Sequence, residues 1–256
     1  MLQCDCKIVS QDKLGENYFL IELNCPGIVR QAKPGQFVTI RCPIPEAFFR
    51  RPFSITQLSK KSFFVLYKVV GPGTRFLSER KKGETLDVIG PLGEPFPFPK
   101  KDNDVIFISG GSGIASLNYL AQSMVRRRGA LFYGAKNKNE LVLLRRFRKL
   151  KWDVKIATDD GSQGFKGMVS ELFLKSAGIL KNANLVVYIC GPMPMLKTLA
   201  EYFIKRKIKT YVSVETVMAC GMDICQGCSI KKRGSVGYLK ACSDGPVFDA
   251  TRIEFN

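Results

Sequence analysis

Three prolines in five residues, Pro95-Phe-Pro-Phe-Pro99, divide this chain into two stretches of different rhythm. Before them, apolar and β-branched runs recur at 17–23, 36–40, 62–70 and 85–89. Turn signals separate the runs: Pro26-Gly27, Lys33-Pro34-Gly35, Gly71-Pro72-Gly73 and Gly90-Pro91. Short strands at such spacing predict an antiparallel β-barrel. After the prolines, strands at 105–109, 130–133, 153–157 and 184–189 alternate with helices expected at 116–128, 140–150, 169–176 and 193–207. That alternation predicts a parallel sheet with right-handed crossovers. A short cysteine- and glycine-rich tail follows. The expected units are therefore 1–97, 98–209 and 210–256, a multidomain α+β chain with residues 94–99 as a linker.

The tail carries the most specific chemistry. Cys220, Cys225, Cys228 and Cys242 follow C-x4-C-x2-C-x13-C in CGMDICQGC and KACSDG. This is the plant-type [2Fe–2S] spacing, in which four thiolates converge on two irons. Gly221 and Gly227 permit the tight loop that aims N–H groups at sulfur. Structural zinc more often uses two short cysteine pairs, and only Cys225 and Cys228 form one. Zinc and plain packed thiols remain the alternatives. Cys4, Cys6, Cys25 and Cys42 show no ligand pattern and are expected to be packing or surface thiols.

Composition removes other classes. There is no histidine, which excludes histidine bases, Ser-His-Asp and Cys-His nucleophiles, and histidine-ligated zinc, haem or Rieske centres. No apolar run long enough to span a membrane and no secretory leader are seen, so a cytoplasmic protein with reduced thiols is expected. The formal net charge is +18, with basic runs at 126–128, 145–149, 205–207 and 231–233. Such charge suits nucleic acid or an acidic protein, or simply a solvated surface. A zinc-knuckle nucleic-acid binder is thus a reading from another class, although no nucleic-acid motif accompanies the charge.

Three further motifs suit nucleotides. Gly110-Gly111-Ser112-Gly113 lies between a strand and a helix, where glycines let the backbone approach a pyrophosphate. It departs from the dinucleotide fingerprint, because Ser116 takes the final glycine position. Lys136 and Lys138 stand where an acidic ribose partner is expected. Arg51-Pro52-Phe53-Ser54 offers a guanidinium for a flavin or nucleotide phosphate, and a hydroxyl for a flavin ring nitrogen. Gly71-Pro72-Gly73-Thr74 offers backbone donors; an ordinary strand edge and turn would read the same way. Cys190-Gly191-Pro192-Met193 ends a strand, where ligands of such sheets bind, so Cys190 is either near a nicotinamide or plain core.

The order of motifs is more telling than any one of them. RPFS, VGPGT, GGSG, TDDGSQGFKG at 158–167, YICGPMPML at 188–196, the cysteine loop and ACSDGPVFDA at 241–250 follow one another. In this order the chain resembles the electron-transfer subunits of NAD-dependent dihydroorotate dehydrogenases, within the broader ferredoxin reductase-like flavoproteins. The resemblance spans nearly the whole chain. It implies FAD held by Arg51, Pro52, Phe53, Ser54, Leu66, Tyr67, Lys68, Gly73 and Thr74. It implies NAD at Gly110, Gly111, Ser112, Gly113, Asp159, Cys190, Gly191, Pro192 and Met193, and a [2Fe–2S] cluster on Cys220, Cys225, Cys228 and Cys242. It further implies a catalytic partner carrying FMN, in a heterotetramer of two such pairs, with electrons passing from FMN to the cluster, FAD and NAD. A reductase subunit of a sulfide dehydrogenase or of a ferredoxin:NAD(P) system is the neighbouring alternative. Asp223 departs from the glycine usual in the first cysteine loop, and Ser112 and Ser116 replace the usual isoleucine and proline of the glycine turn. A carboxylate close to the cluster is expected to lower its potential.

Overall fold

The computed structural model describes residues 1–124, 129–176 and 184–255. The basic run at 126–128, and the end of the helix expected to finish there, lie outside these residues.

Six strands form the first unit: β1 (Leu2–Lys13), β2 (Tyr18–Asn24), β3 (Phe37–Ile40), β4 (Arg51–Leu58), β5 (Ser62–Lys68) and β6 (Thr85–Leu92). They close into an antiparallel barrel in the order β1-β2-β5-β4-β3-β6. Closure between β4 and β5 covers only Ile55–Leu58 and Phe63–Val65, so the backbone beyond them is left unladdered. Alternate side chains turn inward, so Ile21, Leu23, Val38, Ile40, Phe63, Val65 and Val88 fill one core. Two segments read from sequence as turns open short helices instead: α1 (Pro26–Gln31) and α2 (Pro72–Ser78). Each proline stands at the first helical position, where its missing N–H costs nothing.

The proline run crosses from the barrel to the second unit and is held at Phe96 and Pro97. Phe96 is buried and its N–H donates to the Pro34 carbonyl at 2.8 Å. The Tyr188 hydroxyl donates to the Pro97 carbonyl at 2.7 Å.

The second unit is a parallel sheet of β7 (Asp104–Gly110), β8 (Ala130–Ala135), β9 (Asp153–Thr158), the two-residue β10 (Phe165–Lys166), β11 (Leu185–Cys190) and β12 (Lys209–Ser213). Helices α3 (Ile114–Ser123), α4 (Leu144–Lys149), α5 (Val169–Lys175) and α6 (Met193–Lys205) cover its faces. The strand alternation sorts the core in two. Ile106, Ile108, Val187 and Ile189 pack with Phe173 of α5 and Leu199 and Phe203 of α6. Val105, Phe107, Val186 and Tyr188 pack with Leu117 and Leu120 of α3 and Phe147 of α4. The helix expected over 140–150 is shorter, because Leu143 takes φ 61 and α4 starts only after it. α3 also docks on the barrel: Asn118 Nδ2 donates to the Thr56 carbonyl at 2.8 Å and the Tyr119 hydroxyl to the Ala32 carbonyl at 2.9 Å.

The tail folds onto this sheet. A hairpin of β13 (Ser229–Lys231) and β14 (Tyr238–Lys240) follows the cysteine loop. Then β15 (Val247–Asp249) pairs antiparallel with β12, giving the order β10-β9-β8-β7-β11-β12-β15. Phe248 buries its ring in the sheet core, and Lys209 pairs with Asp249 across the new edge. No helix among the described residues is long and apolar enough to cross a membrane.

Candidate functional site

The barrel opens where the sequence places its arginine motif. The β4–β5 ladder runs from Leu58↔Phe63 to Ile55↔Val65 and does not continue to Arg51–Ser54. Those four residues pair only with β3, and Leu66–Lys68 pair only with β2. The two strands therefore part, and a cleft of about 430 Å³ fills the gap. Arg51, Pro52, Phe53, Ser54, Leu66, Tyr67, Lys68 and Thr74 all line it. Neighbouring arginines split their roles along the strand. Arg50 is fixed outward, with Nη2 2.5 Å from Asp87 and Nη1 donating to the Asp87 carbonyl at 3.0 Å. Arg51 faces the cleft, and among the described residues no carboxylate pairs with it. An unpaired guanidinium beside parted strands is the donor set that an anionic flavin nucleotide requires, so these residues fit FAD.

The other predicted flavin residues have defined partners. Lys68 pairs with Glu140 at 2.7 Å, which joins the barrel to the turn after β8. Tyr67 stacks on Phe19 at 5.6 Å and donates its hydroxyl to Gln11 at 3.1 Å. Gly73 is buried against the Arg51 side chain. The Thr74 hydroxyl accepts from Val70 and Gly71 N–H at 2.9 and 3.1 Å and donates to the Gly71 carbonyl at 3.0 Å. Its oxygen is thus occupied in shaping the turn, leaving the backbone as the donor.

The sheet faces the same cleft at its switch point. Strands β8, β9 and β10 progress to one side of β7, and β11 and β12 to the other. Ligands of such sheets bind at the carboxyl ends beside the switch. Those ends carry Gly110–Gly113 and Cys190–Met193. The two turns touch through backbone: a Cβ on Gly113 would lie 2.3 Å from the Cys190 carbonyl oxygen, and one on Gly191 would lie 2.9 Å from Gly110 N. Ser112 and Cys190 line the cleft itself. Gly110, Gly111, Gly113 and Gly191 form the backbone beside it, and Pro192 and Met193 open α6. Asp159 lies at the end of β9, two strands from the glycine turn, exposed and away from the cleft lining. Lys136 and Lys138 are exposed on the neighbouring loop. Burial, and then the Glu215 carboxylate, push the Cys190 thiol up, so it is neutral and not a nucleophile.

The third wall was not anticipated. Ser213, Val214, Glu215, Thr216 and Met218, which follow β12, line the cleft opposite the flavin residues. Glu215 is open to solvent but crowded by the walls, and this desolvation raises its carboxyl. The alternating run Lys209-Thr-Tyr-Val-Ser213, with the rule that ligands meet strand carboxyl ends, would have flagged the segment.

That wall continues into the cysteine loop, since only Ala219 separates Met218 from Cys220. The loop lies against the barrel: Gly221 has φ 69, and a Cβ there would lie 2.9 Å from the Thr39 methyl of β3. Cys228 and Cys242 are buried, Cys220 is half-buried and Cys225 is exposed. Backbone N–H groups already point at sulfur. Met222 and Cys225 donate to Cys220 Sγ at 3.5 and 3.4 Å, Asp223 to Cys242 Sγ at 3.3 Å and Gly227 to Cys225 Sγ at 3.4 Å. Burial raises the Cys220 thiol, but the N–H groups of Met222, Cys225 and Ile224 outweigh it and bring it down to about 7. Burial and the neighbouring Cys228 push Cys242 up to about 11. Thiols neighbouring in pairs, Cys220 with Cys225 and Cys228 with Cys242, with N–H donors aimed at three of the four, fit a [2Fe–2S] cluster, whose ligands are shared between two irons. Among the described residues, no three Cys, Asp or Glu side chains close on a single ion. The other cysteines pack in the barrel: Cys6, Cys25 and Cys42 are buried and Cys4 is half-buried.

Comparison with known proteins agrees with this layout. Residues 107–201 match the oxidoreductase NAD-binding domain. Residues 215–254 match the iron-sulfur cluster binding domain of dihydroorotate dehydrogenase B. The chain is 34% identical over 256 residues to the electron transfer subunit of dihydroorotate dehydrogenase B (NAD(+)) of Desulforamulus reducens, with 97% of each chain covered. It is 31% identical to the Aquifex aeolicus homolog of that subunit, with 99% of each covered. Among solved structures, an NADH-dependent reduced ferredoxin-NADP oxidoreductase, studied for flavin-based electron bifurcation, superposes with a TM-score of 0.85 at 29% identity. That match covers 98% of this chain and 90% of the other. The ferredoxin-NADP+ reductase of Plasmodium falciparum shares the fold, with a TM-score of 0.71 at 17% identity over 83% of this chain and 96% of that one. At 34% identity over nearly its whole length, and with the cluster-binding domain matched in its tail, the chain belongs to the electron transfer subunits of dihydroorotate dehydrogenase B.

Proposed function

We propose that this chain takes electrons from a separate dihydroorotate-oxidising subunit and delivers them to NAD. One observation carries the reading: the cleft between β4 and β5 is lined by Cys190 and by Ser213, Val214, Glu215, Thr216 and Met218, and Met218 stands two residues before Cys220. This supports a path in which the flavin and nicotinamide sites share the cleft and the cluster lies next along the chain. When bound, FAD exchanges two electrons with a nicotinamide and single electrons with a [2Fe–2S] cluster.

The chain's own residues bind and shield. Arg51 supplies the cation for the flavin nucleotide, and the unladdered backbone of Arg51–Ser54 and Leu66–Lys68 supplies donors and acceptors. Ser112 and the glycine turn, pressed on Cys190, leave room for a nicotinamide nucleotide at the switch point. Cys220, Cys225, Cys228 and Cys242 hold the cluster. No side chain need act as a general acid or base, which suits a chain without histidine. The catalytic partner carries FMN and assembles as two such pairs in the cytoplasm. It docks over the loop that exposes Cys225, Ile224 and Val217, because electrons need a short path between centres. The zinc-knuckle reading leaves the cleft without a purpose.

The test is an absorption spectrum of anaerobically purified protein, with iron, sulfide, zinc and flavin assays on the same sample. Flavin bands and cluster absorbance, with roughly two irons and one FAD per chain, are expected. Adding the FMN subunit should then give dihydroorotate-dependent NAD reduction. Zinc without flavin or sulfide overturns the reading. Loaded protein that reduces NAD(P) only with ferredoxin supports a second reading, favoured by the superposition on the ferredoxin-NADP oxidoreductase.

A further inference from the structure

Asp223 sits inside the first cysteine loop at φ 70, a backbone conformation that glycine or asparagine adopts more readily. A residue merely tolerated there would leave its carboxylate in water. Instead the carboxylate is held on both sides of the fourth cysteine. Lys240 Nζ lies 2.5 Å from Asp223 Oδ1, and the Ser243 hydroxyl donates to the same oxygen at 3.0 Å. Asp223 N–H in turn points at Cys242 Sγ. Lys240 is itself fixed, because its N–H donates to Asp244 Oδ2 at 2.7 Å and β14 ends on it. Thirteen residues separate Cys228 from Cys242, so sequence proximity does not hold the fourth thiol beside the first three.

We propose that Asp223 is a positioning residue for the iron–sulfur site, clasping the first cysteine loop to the Cys242 segment through Lys240 and Ser243. The pairing with Lys240 also cancels its charge, so the carboxylate leaves the cluster potential close to that of an uncharged loop. On this proposal the potential is not lowered, which differs from the sequence expectation for a carboxylate close to the cluster and is what the titration below decides. The proposal rests on the reading that these four cysteines hold a [2Fe–2S] cluster.

Four variants of the whole chain test it: D223G, D223N, K240Q and D223N/K240Q. Two quantities are read: the rate of cluster loss to an iron chelator, and the reduction potential by titration followed with electron paramagnetic resonance. Flavin content and melting temperature check the rest of the fold. D223G relieves the backbone, yet the clasp predicts a few-fold faster cluster loss, the scale of a half-exposed ion pair with a supporting hydrogen bond. D223N leaves Lys240 uncompensated and should raise the potential. K240Q bares the carboxylate and should lower it. The double variant should return to the wild-type potential, as a coupled pair requires. D223G that keeps its cluster as long as wild type overturns the clasp. Single variants that shift the potential in one common direction, or not at all, overturn the charge balance. Wild-type protein without iron and sulfide overturns the cluster reading itself.

Discussion

Arg50 and Arg51 show how one residue step decides a role. Both are arginine, but Arg50, just before β4, pairs with Asp87, while Arg51, the first residue of β4, lines the cleft. R51Q should therefore weaken flavin binding by roughly ten- to hundredfold, the loss of about 1.5–3 kcal/mol for a charge-assisted bond. Fluorescence of released flavin during dialysis measures it; unchanged retention would show that Arg51 touches no flavin phosphate. Gly113 is constrained by contact rather than by φ, since any Cβ would overlap the Cys190 carbonyl. G113A should raise the KM for NADH in dye reduction roughly tenfold or more, as the displaced turns misplace the nucleotide, with FAD content unchanged. Equal kinetics in the variant would move the nucleotide site elsewhere.

At the scale of elements, eight strands and most helices are legible because their periodicity is local, whereas β1, β4, β10, β12, β13 and β14 have no counterpart in the sequence reading. The buried run Leu185–Cys190 and the alternation of β2 needed no tertiary knowledge. Gly71-Pro72-Gly73 reads as a turn signal, although proline at a first helical position carries the opposite message, and α2 starts there. β15 was not anticipated: three residues carry no period, and its pairing with β12 depends on where the tail returns. The Lys209–Asp249 pair closes that edge. Burial raises the Asp249 carboxyl, but Lys209 and the Thr251 donors outweigh it and hold it below the ordinary range. A depressed carboxyl contributes stability at neutral pH and loses it as pH falls through the folded-state value. D249N should accordingly cost under about 1 kcal/mol at pH 7, with the gap from wild type closing below about pH 4. Urea denaturation at both pH values checks the sign; a gap that widens in acid would refute it.

On the proposed layout each cofactor has its own set of residues, so loss of one site should leave the others intact. C228S removes a buried thiol of the cluster loop. The variant should lose iron, sulfide and all dihydroorotate-dependent NAD reduction with the catalytic subunit, while keeping FAD and NADH–dye activity. Loss of flavin in the same variant would mean that the tail and the barrel fold as one unit. By itself the sequence determined the barrel-then-sheet order, the glycine turn, Arg51–Ser54 and the four cysteines, because strand rhythm, turn chemistry and thiol spacing are written in short windows. Only the tertiary structure decided that β4 and β5 part at Arg51 and Leu66, and that Glu215 enters the cleft. It likewise decided that Asp223 meets Lys240. Each of those depends on the register or return of segments far apart in the chain, and no local period encodes such distances.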